Sequence, residues 1–135
     1  MHTAIRIKRC VLGNVSEHAA REPEHECCGL LAGRDGVITL AMAARNAAAD
    51  PAKNYEIAPE ELFRLMREMR VAALRLMGIY HSHPKSNNEP SPLDIELACY
   101  PEVAYFILSP QSKSAPVRAF SILEGCVNEL EIVVE

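Results

Sequence analysis

The spacing of apolar and polar positions predicts a chain that mixes strands with amphipathic helices. Apolar residues spaced three and four positions apart are typical of such helices, and this pattern occurs at residues 10–20 and 59–73. Short apolar runs bounded by turn residues predict strands at residues 4–8, 28–32, 37–43, 76–80, 104–109, 117–123 and 127–134. The sequence therefore predicts a mixed α/β (α+β) fold.

Two of the predicted strands form a hairpin. The runs at residues 28–32 and 37–43 are separated by a turn over residues 33–36, which contains the pair Asp35-Gly36. An Asp-Gly pair between two apolar runs favours a tight hairpin turn.

The segment after the hairpin, residues 45–58, is rich in Ala, Asn and Asp. This composition predicts a surface loop, and Tyr55-Glu56-Ile57 at its end are predicted to be extended. We interpret the loop as a candidate substrate-binding edge.

Length and composition limit the choice of protein class. The chain has 135 residues, of which 49% are hydrophobic, and a chain of this size buries one substantial core, so we predict a single domain over residues 1–135. The net charge is −4 and no run of Lys or Arg occurs, which argues against nucleic-acid binding. No apolar run has the length of a signal peptide or a membrane span, so we expect a cytoplasmic protein that does not bind membranes.

The five cysteines are odd in number and have no C-x-x-C spacing. They therefore predict neither a disulfide framework nor a zinc ribbon. We expect Cys10, Cys99 and Cys126 to be small core residues. Cys27 and Cys28 are adjacent on a predicted strand, so they should face opposite sides and pack in the interior, which argues against a thiol nucleophile.

A candidate metal site follows the strand at residues 76–80. His81 and His83 are two positions apart at the strand end, so both imidazoles point to the same face. Asp94 is the natural third ligand, because a catalytic zinc site combines three His or carboxylate ligands with an open fourth position.

Each part of this pattern also has an ordinary structural explanation. Ser91, Pro92 and Asp94 stand where a helix start places its N-cap, its first residue and its third residue. The two interpretations are compatible, because a helix cap would hold Asp94 in a fixed place relative to the histidines.

Glu26 precedes the first strand of the predicted hairpin. An isolated Glu in this position is usually a charge at the solvent end of a strand. Next to a metal site, its carboxylate could instead take a proton from an activated water and pass it to a leaving group.

These residues together resemble the motif of the JAMM metalloproteases, also called the MPN-plus family. That motif is an upstream Glu, then H-x-H-P, six residues, and S-x-x-D, and every position is filled here. The resemblance implies that His81, His83 and Asp94 bind the metal, that Ser91 is the motif serine and that Glu26 is the catalytic acid/base. Similarity extends to Gly29, Gly33, Asn46, Tyr55, Pro59 and the run Tyr105-Phe106-Ile107-Leu108-Ser109.

The resemblance also implies a fold and an activity. The expected fold is the MPN arrangement, a curved and mostly antiparallel sheet packed with helices in a cytidine-deaminase-like architecture. The expected activity is that of a short prokaryotic member: a metallopeptidase or isopeptidase with one zinc ion per chain that hydrolyses an amide by metal-activated water. Ser91 would donate to the developing oxyanion. The implied substrate is the Gly-Gly terminus of a ubiquitin-like sulfur carrier protein.

Two other functions stay open at this point. A non-catalytic MPN scaffold would keep the fold, although such proteins usually lack one or more ligands, and a zinc amidase could act on small molecules. Deaminase and H-E-x-x-H motifs are absent from the sequence. The sequence leaves open whether the bond is a peptide or an isopeptide bond, which metal is bound in the cell, and whether the protein forms a homodimer.

Overall fold

The computed structural model describes residues 3–135. The strands and helices predicted from the sequence are all present within these residues. They are β1 (Ala4–Ile7), α1 (Arg9–Arg21), β2 (Cys28–Arg34), β3 (Val37–Ala44), α2 (Pro59–Val71), β4 (Arg75–Ser82), α3 (Pro92–Leu97), β5 (Ala104–Leu108), β6 (Val117–Leu123) and β7 (Cys126–Val134).

The strands form one sheet in the order β1-β3-β2-β4-β5-β6-β7, and β1 also pairs with β7. Antiparallel pairs join β2 to β3, β2 to β4, β5 to β6 and β6 to β7. The β1–β3, β1–β7 and β4–β5 pairs are parallel. The predicted α+β class is confirmed, and the β1–β7 pairing closes the sheet on itself.

The predicted hairpin is formed by β2 and β3. Asp35 has φ 54° and Gly36 has φ 78°, and positive φ at both central residues is what a type I′ hairpin turn requires. The turn is shorter than residues 33–36, because Arg34 still pairs with Val37.

The long helix α2 is two residues shorter than the predicted 59–73. The N–H of Ala73 donates to the carbonyl of Arg70 at 3.0 Å, and the N–H of Leu74 donates to that of Met69 at 2.9 Å. With Ala73 at φ 58°, these bonds form a Schellman motif, which ends the helix. Among residues 3–135, no helix combines the length and apolar character needed to cross a membrane.

Two apolar clusters lie on opposite faces of the central strands. In β2, Leu31 belongs to the cluster that contains Tyr80, whereas Leu30 belongs to the cluster that contains Ile79. Cys27 and Cys28 are both buried and are divided between the two clusters in the same way. Their predicted packing on opposite sides is therefore confirmed.

The prediction that Cys10, Cys99 and Cys126 are core residues is wrong, because all three are exposed. Cys10 lies on α1, whose buried face is formed by Val11 and Val15. Cys99 follows α3 in a loop, and Cys126 begins β7 directly after a turn. A short apolar side chain near an element end carries too little burial energy to decide its own position.

Two glycines provide a matched test of this architecture. A Cβ atom on Gly33 would collide with the carbonyl oxygen of Val37 and come within 2.8 Å of Ile38 Cα, whereas one on Gly13 would meet nothing within 4 Å. We expect Gly33→Ala to lower the free energy of unfolding by at least about 2 kcal/mol, because backbone atoms must move. Gly13→Ala should raise it by about 0.5–1 kcal/mol, since Gly13 is helical. Urea unfolding of both variants checks this, and equal stabilities would contradict the strand packing.

Candidate metal centre

The pairing of β2 with β4 brings the predicted acid next to the predicted ligands. Cys28 lies opposite His81 in the antiparallel register. Just beyond the paired strands, the N–H of Ser82 donates to the carbonyl of Cys27 at 3.1 Å, and the N–H of Cys27 donates to Ser82 Oγ at 2.9 Å. The same register continued by two residues sets Glu26 opposite His83.

Three ligand atoms converge at the end of β4. His81 Nε2 and His83 Nε2 are 3.1 Å apart, and Asp94 Oδ2 lies 3.2 Å from the first and 3.1 Å from the second. Glu26, His81 and His83 each offer a ligand atom, and these atoms all lie within 4.8 Å of one another. All three of these residues are buried.

Asp94 is held in this position by the start of α3. The N–H of Asp94 donates to Ser91 Oγ at 3.0 Å, and the N–H of Ser91 donates to Asp94 Oδ2 at 2.9 Å. This is a capping box, in which the N-cap and the third helical residue satisfy each other's backbone groups. The predicted helix start and the predicted ligand position therefore occur together.

The protonation of His83 suits metal binding. Its Nδ1 lies 2.7 Å from the carbonyl oxygen of Asn87. A carbonyl can only accept, so Nδ1 carries the hydrogen and donates it. When the ring is neutral, Nε2 then presents a lone pair to the centre, as in many metal sites where a backbone carbonyl fixes the tautomer.

The arrangement of these atoms fits a tetrahedral metal ion. With metal–ligand bonds of about 2.0–2.1 Å, two ligands of a tetrahedral zinc ion are separated by about 3.3 Å. The distances of 3.1–3.2 Å among the two imidazoles and Asp94 Oδ2 are close to that value. Within residues 3–135, Glu26 Oε1 is buried with no hydrogen-bond partner, so this oxygen is free to face a reactant.

Burial dominates the acid–base properties of Glu26. It raises the pKa of the carboxyl from 4.5 to about 7, because a charged group loses hydration in the interior. The neighbouring charge of His83 lowers the pKa of Glu26 and that of Asp94 raises it. A carboxyl that titrates near neutral pH is well suited to take up and release a proton.

The pKa shifts of the three proposed ligands differ in direction. Burial lowers the pKa of His81, which outweighs its hydrogen bond with Asp94. Burial also opposes ionisation of Asp94, but hydrogen bonds with the two imidazoles hold its pKa well below the usual range. For His83, burial lowers the pKa, and hydrogen bonds with Asp94 and the Asn87 carbonyl overcome this and raise it. His83 therefore has to release its Nε2 proton when a metal binds.

Tyr55 is a site residue whose role the sequence does not reveal. Its ring stacks on that of His81, with centroids 4.5 Å apart and an interplanar angle of 24°. A cleft of about 260 Å³ opens beside Asp94 and is lined by Tyr55 and Ile57 from the loop and by Leu93 and Leu97 from α3. The loop predicted as a substrate-binding edge therefore lines the cleft next to the centre.

Comparisons with known proteins agree with the family resemblance described from the sequence. Residues 9–123 match the family model described as prokaryotic homologs of the JAB domain. The chain is 38% identical over 105 residues to the desampylase of Haloferax volcanii, a match that covers 76% of each protein. It is 35% identical over 131 residues to the probable TtuB-protein conjugate cleaving protease of Thermus thermophilus, covering 95% of this chain and 81% of that protein.

Solved structures show the same fold. A protein from Desulfitobacterium hafniense, determined in solution, superposes with a TM-score of 0.86 and 29% identity, and the match covers 97% of this chain and 92% of that one. A structure described as a JAMM metalloprotease-like zinc site in the proteasome and signalosome superposes with a TM-score of 0.62. That match has 21% identity and covers 97% and 99% of the two chains, so it supports the fold alone.

The raised pKa of Glu26 predicts a pH-dependent stability in protein freed of metal by a chelator. Between pH 4.5 and pH 7 the folded state holds a proton that the unfolded state has lost, so the free energy of unfolding falls as the pH rises through this window. Glu26→Gln has no such proton to lose. We expect the variant to gain on the order of 3 kcal/mol over the wild type across the window and nothing further above it. Urea unfolding at several pH values measures this, and a constant difference would contradict the raised pKa.

Proposed function

Because this chain belongs to the family of prokaryotic homologs of the JAB domain, we propose that it is a zinc-dependent JAMM metallopeptidase or isopeptidase. The reaction adds water across an amide and yields a carboxylate and a free amine. The observation that carries the proposal is the convergence of His81 Nε2, His83 Nε2 and Asp94 Oδ2 within 3.1–3.2 Å beside the buried Glu26.

His81, His83 and Asp94 are the proposed ligands of one zinc ion per chain. Two neutral imidazoles and one ionised carboxylate are a ligand set that zinc prefers, and they leave a fourth position open. When bound, zinc supplies Lewis-acid polarisation of a water molecule and of the scissile carbonyl. Asp94 is an ionised ligand, since its pKa lies well below the usual range and the Ser91 N–H donates to its carboxylate.

Glu26 is the proposed general base and then the general acid. Its free oxygen, Oε1, takes the proton of the attacking water and returns it to the leaving amine. Burial raises the pKa of this carboxyl, which favours its uptake of the proton in the first step.

Ser91 is the proposed donor to the oxygen of the scissile carbonyl. Its Oγ already accepts from the N–H of Asp94, so the hydroxyl hydrogen is free to point away from the helix. As negative charge develops on the carbonyl oxygen, one such donor stabilises the transition state by about 3–4 kcal/mol.

The proposed substrate is the Gly-Gly C-terminus of a ubiquitin-like sulfur carrier protein, joined by its carboxyl group to an amine. The cleft beside Asp94 is bordered by residues 54–57, against which an extended tail can lie. The name of the Thermus relative describes cleavage of protein conjugates, which supports a substrate of this class.

We place the enzyme in the cytoplasm. All five cysteines are free thiols, and thiols stay reduced in that compartment. The sulfur carrier protein is the proposed partner.

The activity is tested with a ubiquitin-like sulfur carrier protein whose terminal Gly-Gly is joined to the side-chain amine of a fluorescent lysine peptide. We expect the zinc-loaded wild type to release the lysine peptide, and Glu26→Gln to be about 10²–10⁴-fold slower with the same zinc content, because proton transfer alone is lost. Release is followed by fluorescence anisotropy. A wild type that leaves this reporter intact and cleaves only small acyl amides would indicate a small-molecule amidase, and one that cleaves neither would indicate a scaffold.

The metal ligands are tested by removing one imidazole. His83→Ala should lose most of its zinc, because the remaining two ligands cannot hold the ion in a tetrahedral site. His25→Ala is the matched control, since His25 is an exposed histidine outside the proposed ligand set. Elemental analysis of both proteins after dialysis against zinc-free buffer gives the zinc-to-chain ratio, and a ratio near one in His83→Ala would refute the assignment.

A further inference from the structure

Asn46 lies between β3 and α2, and its side chain joins the loop to the segment that carries Glu26. Its Nδ2 donates to the carbonyl oxygens of Glu26 and Asn54, each at 2.9 Å, and approaches that of Pro51 at 3.4 Å. One amide nitrogen therefore holds the backbone of the proposed base and two points of the loop.

The oxygen of the same amide joins two other points of the loop. Asn46 Oδ1 accepts from the N–H groups of Ala48 at 3.0 Å and Glu56 at 3.2 Å. Only carbonyls face Nδ2 and only N–H groups face Oδ1, so the orientation of the amide is unambiguous. A short polar side chain that replaces backbone pairing in this way gives a loop a defined shape.

Both backbone polar groups of Glu26 form hydrogen bonds with this loop. Its N–H donates to the carbonyl of Pro51 at 2.8 Å, and its carbonyl accepts from Asn46. The Glu26 carboxylate is not held in this way, because Oε1 has no hydrogen-bond partner in the described part of the chain. The position of the carboxylate is therefore set through its backbone.

The proposed zinc ligands are held by different interactions. His81 lies in β4, paired with β2 and β5, and Asp94 is fixed by the capping box with Ser91. Asn46 makes no hydrogen bond to any of these residues within the described chain. A change at Asn46 should therefore disturb the base and leave the ligands in place.

We infer that Asn46 is a positioning residue: its amide sets the Glu26 carboxylate at the correct place beside the metal ligands. The inference rests on the function proposed above. The same Nδ2 also donates to the carbonyl of Asn54, which ties the loop to the segment that carries Glu26. Displacements of about 1 Å at a reacting group lower rates by about 100-fold.

Asn46→Asp separates the two ends of the amide, because it keeps an acceptor for Ala48 and Glu56 and removes the donor to the carbonyls of Glu26 and Asn54. We expect kcat on the lysine reporter to fall about 10- to 100-fold with KM nearly unchanged and zinc content unaltered. Asn46→Ala should lose kcat to a similar extent. Asn128→Asp, which makes the same chemical change on β7, should behave as the wild type.

Combination with Glu26→Gln tests whether Asn46 acts through Glu26. The double variant Glu26→Gln with Asn46→Asp should be no slower than Glu26→Gln alone, because the base that Asn46 positions is already inactive. The inference would be overturned if the two substitutions multiplied each other's losses in kcat, if KM rose at constant kcat, or if zinc were lost.

Amide hydrogen exchange keeps the inference testable if the reporter is not cleaved at all. Asn46→Asp should speed exchange of the Glu26 N–H by about tenfold or more, because the loop that holds it loses the Nδ2 donor. The N–H of Glu56, whose acceptor is kept, and the N–H of His83, which donates to the carbonyl of Leu108, should exchange as in the wild type. Unchanged exchange, or faster exchange throughout the chain, would overturn it. An inactive wild type with the expected exchange pattern would refute the proposed function alone.

Discussion

The antiparallel register between β2 and β4 is the constraint on which the site depends. With Cys28 opposite His81, Glu26, which precedes β2, and His83, which follows β4, meet at one end of the sheet. A slip of one residue would turn both imidazoles toward the opposite face. The pairing is regular from Cys28 to Leu31, and its irregularity falls between Leu31 and Ala32, away from the site. The apolar residues of both strands are buried on two faces, so the core that stabilises the fold also fixes this register.

The start of α3 supplies the remaining ligand by ordinary helix chemistry. One carboxylate oxygen, Asp94 Oδ2, accepts from the Ser91 N–H and lies within hydrogen-bonding distance of both imidazoles. A helix of six residues with no fully buried side chain has little stability of its own. Contacts of Asp94 with the histidines and the capping box therefore support each other, and a metal ion in the centre would stabilise the helix as well as the site.

The sequence predicts the local elements well, and it indicates candidate site residues that the fold brings together, because both depend on short-range patterns. Apolar spacing determines which segments become strands or helices, and the fixed spacing from His81 to Asp94 is a local signal. Closure of the sheet is different, since β1 pairs with β7 across almost the whole chain and no local pattern encodes that pairing. The roles of Tyr55 and Asn46 also depend on distant partners, and an asparagine in a polar loop is too common to indicate the five contacts that Asn46 makes.

The surroundings of Glu26 support its proposed role as the reactive carboxyl. Buried polar groups in a fold are almost always paired, and the backbone of Glu26 follows this rule at both its N–H and its carbonyl. Its carboxyl does not, because Oε1 is buried without a partner among residues 3–135. Burial of that group raises its pKa to about 7, so ionised Glu26 destabilises the folded chain at neutral pH. A purely structural carboxyl would gain nothing that offsets this destabilisation. A proton acceptor beside a metal site, in contrast, needs an oxygen that makes no hydrogen bond within the protein.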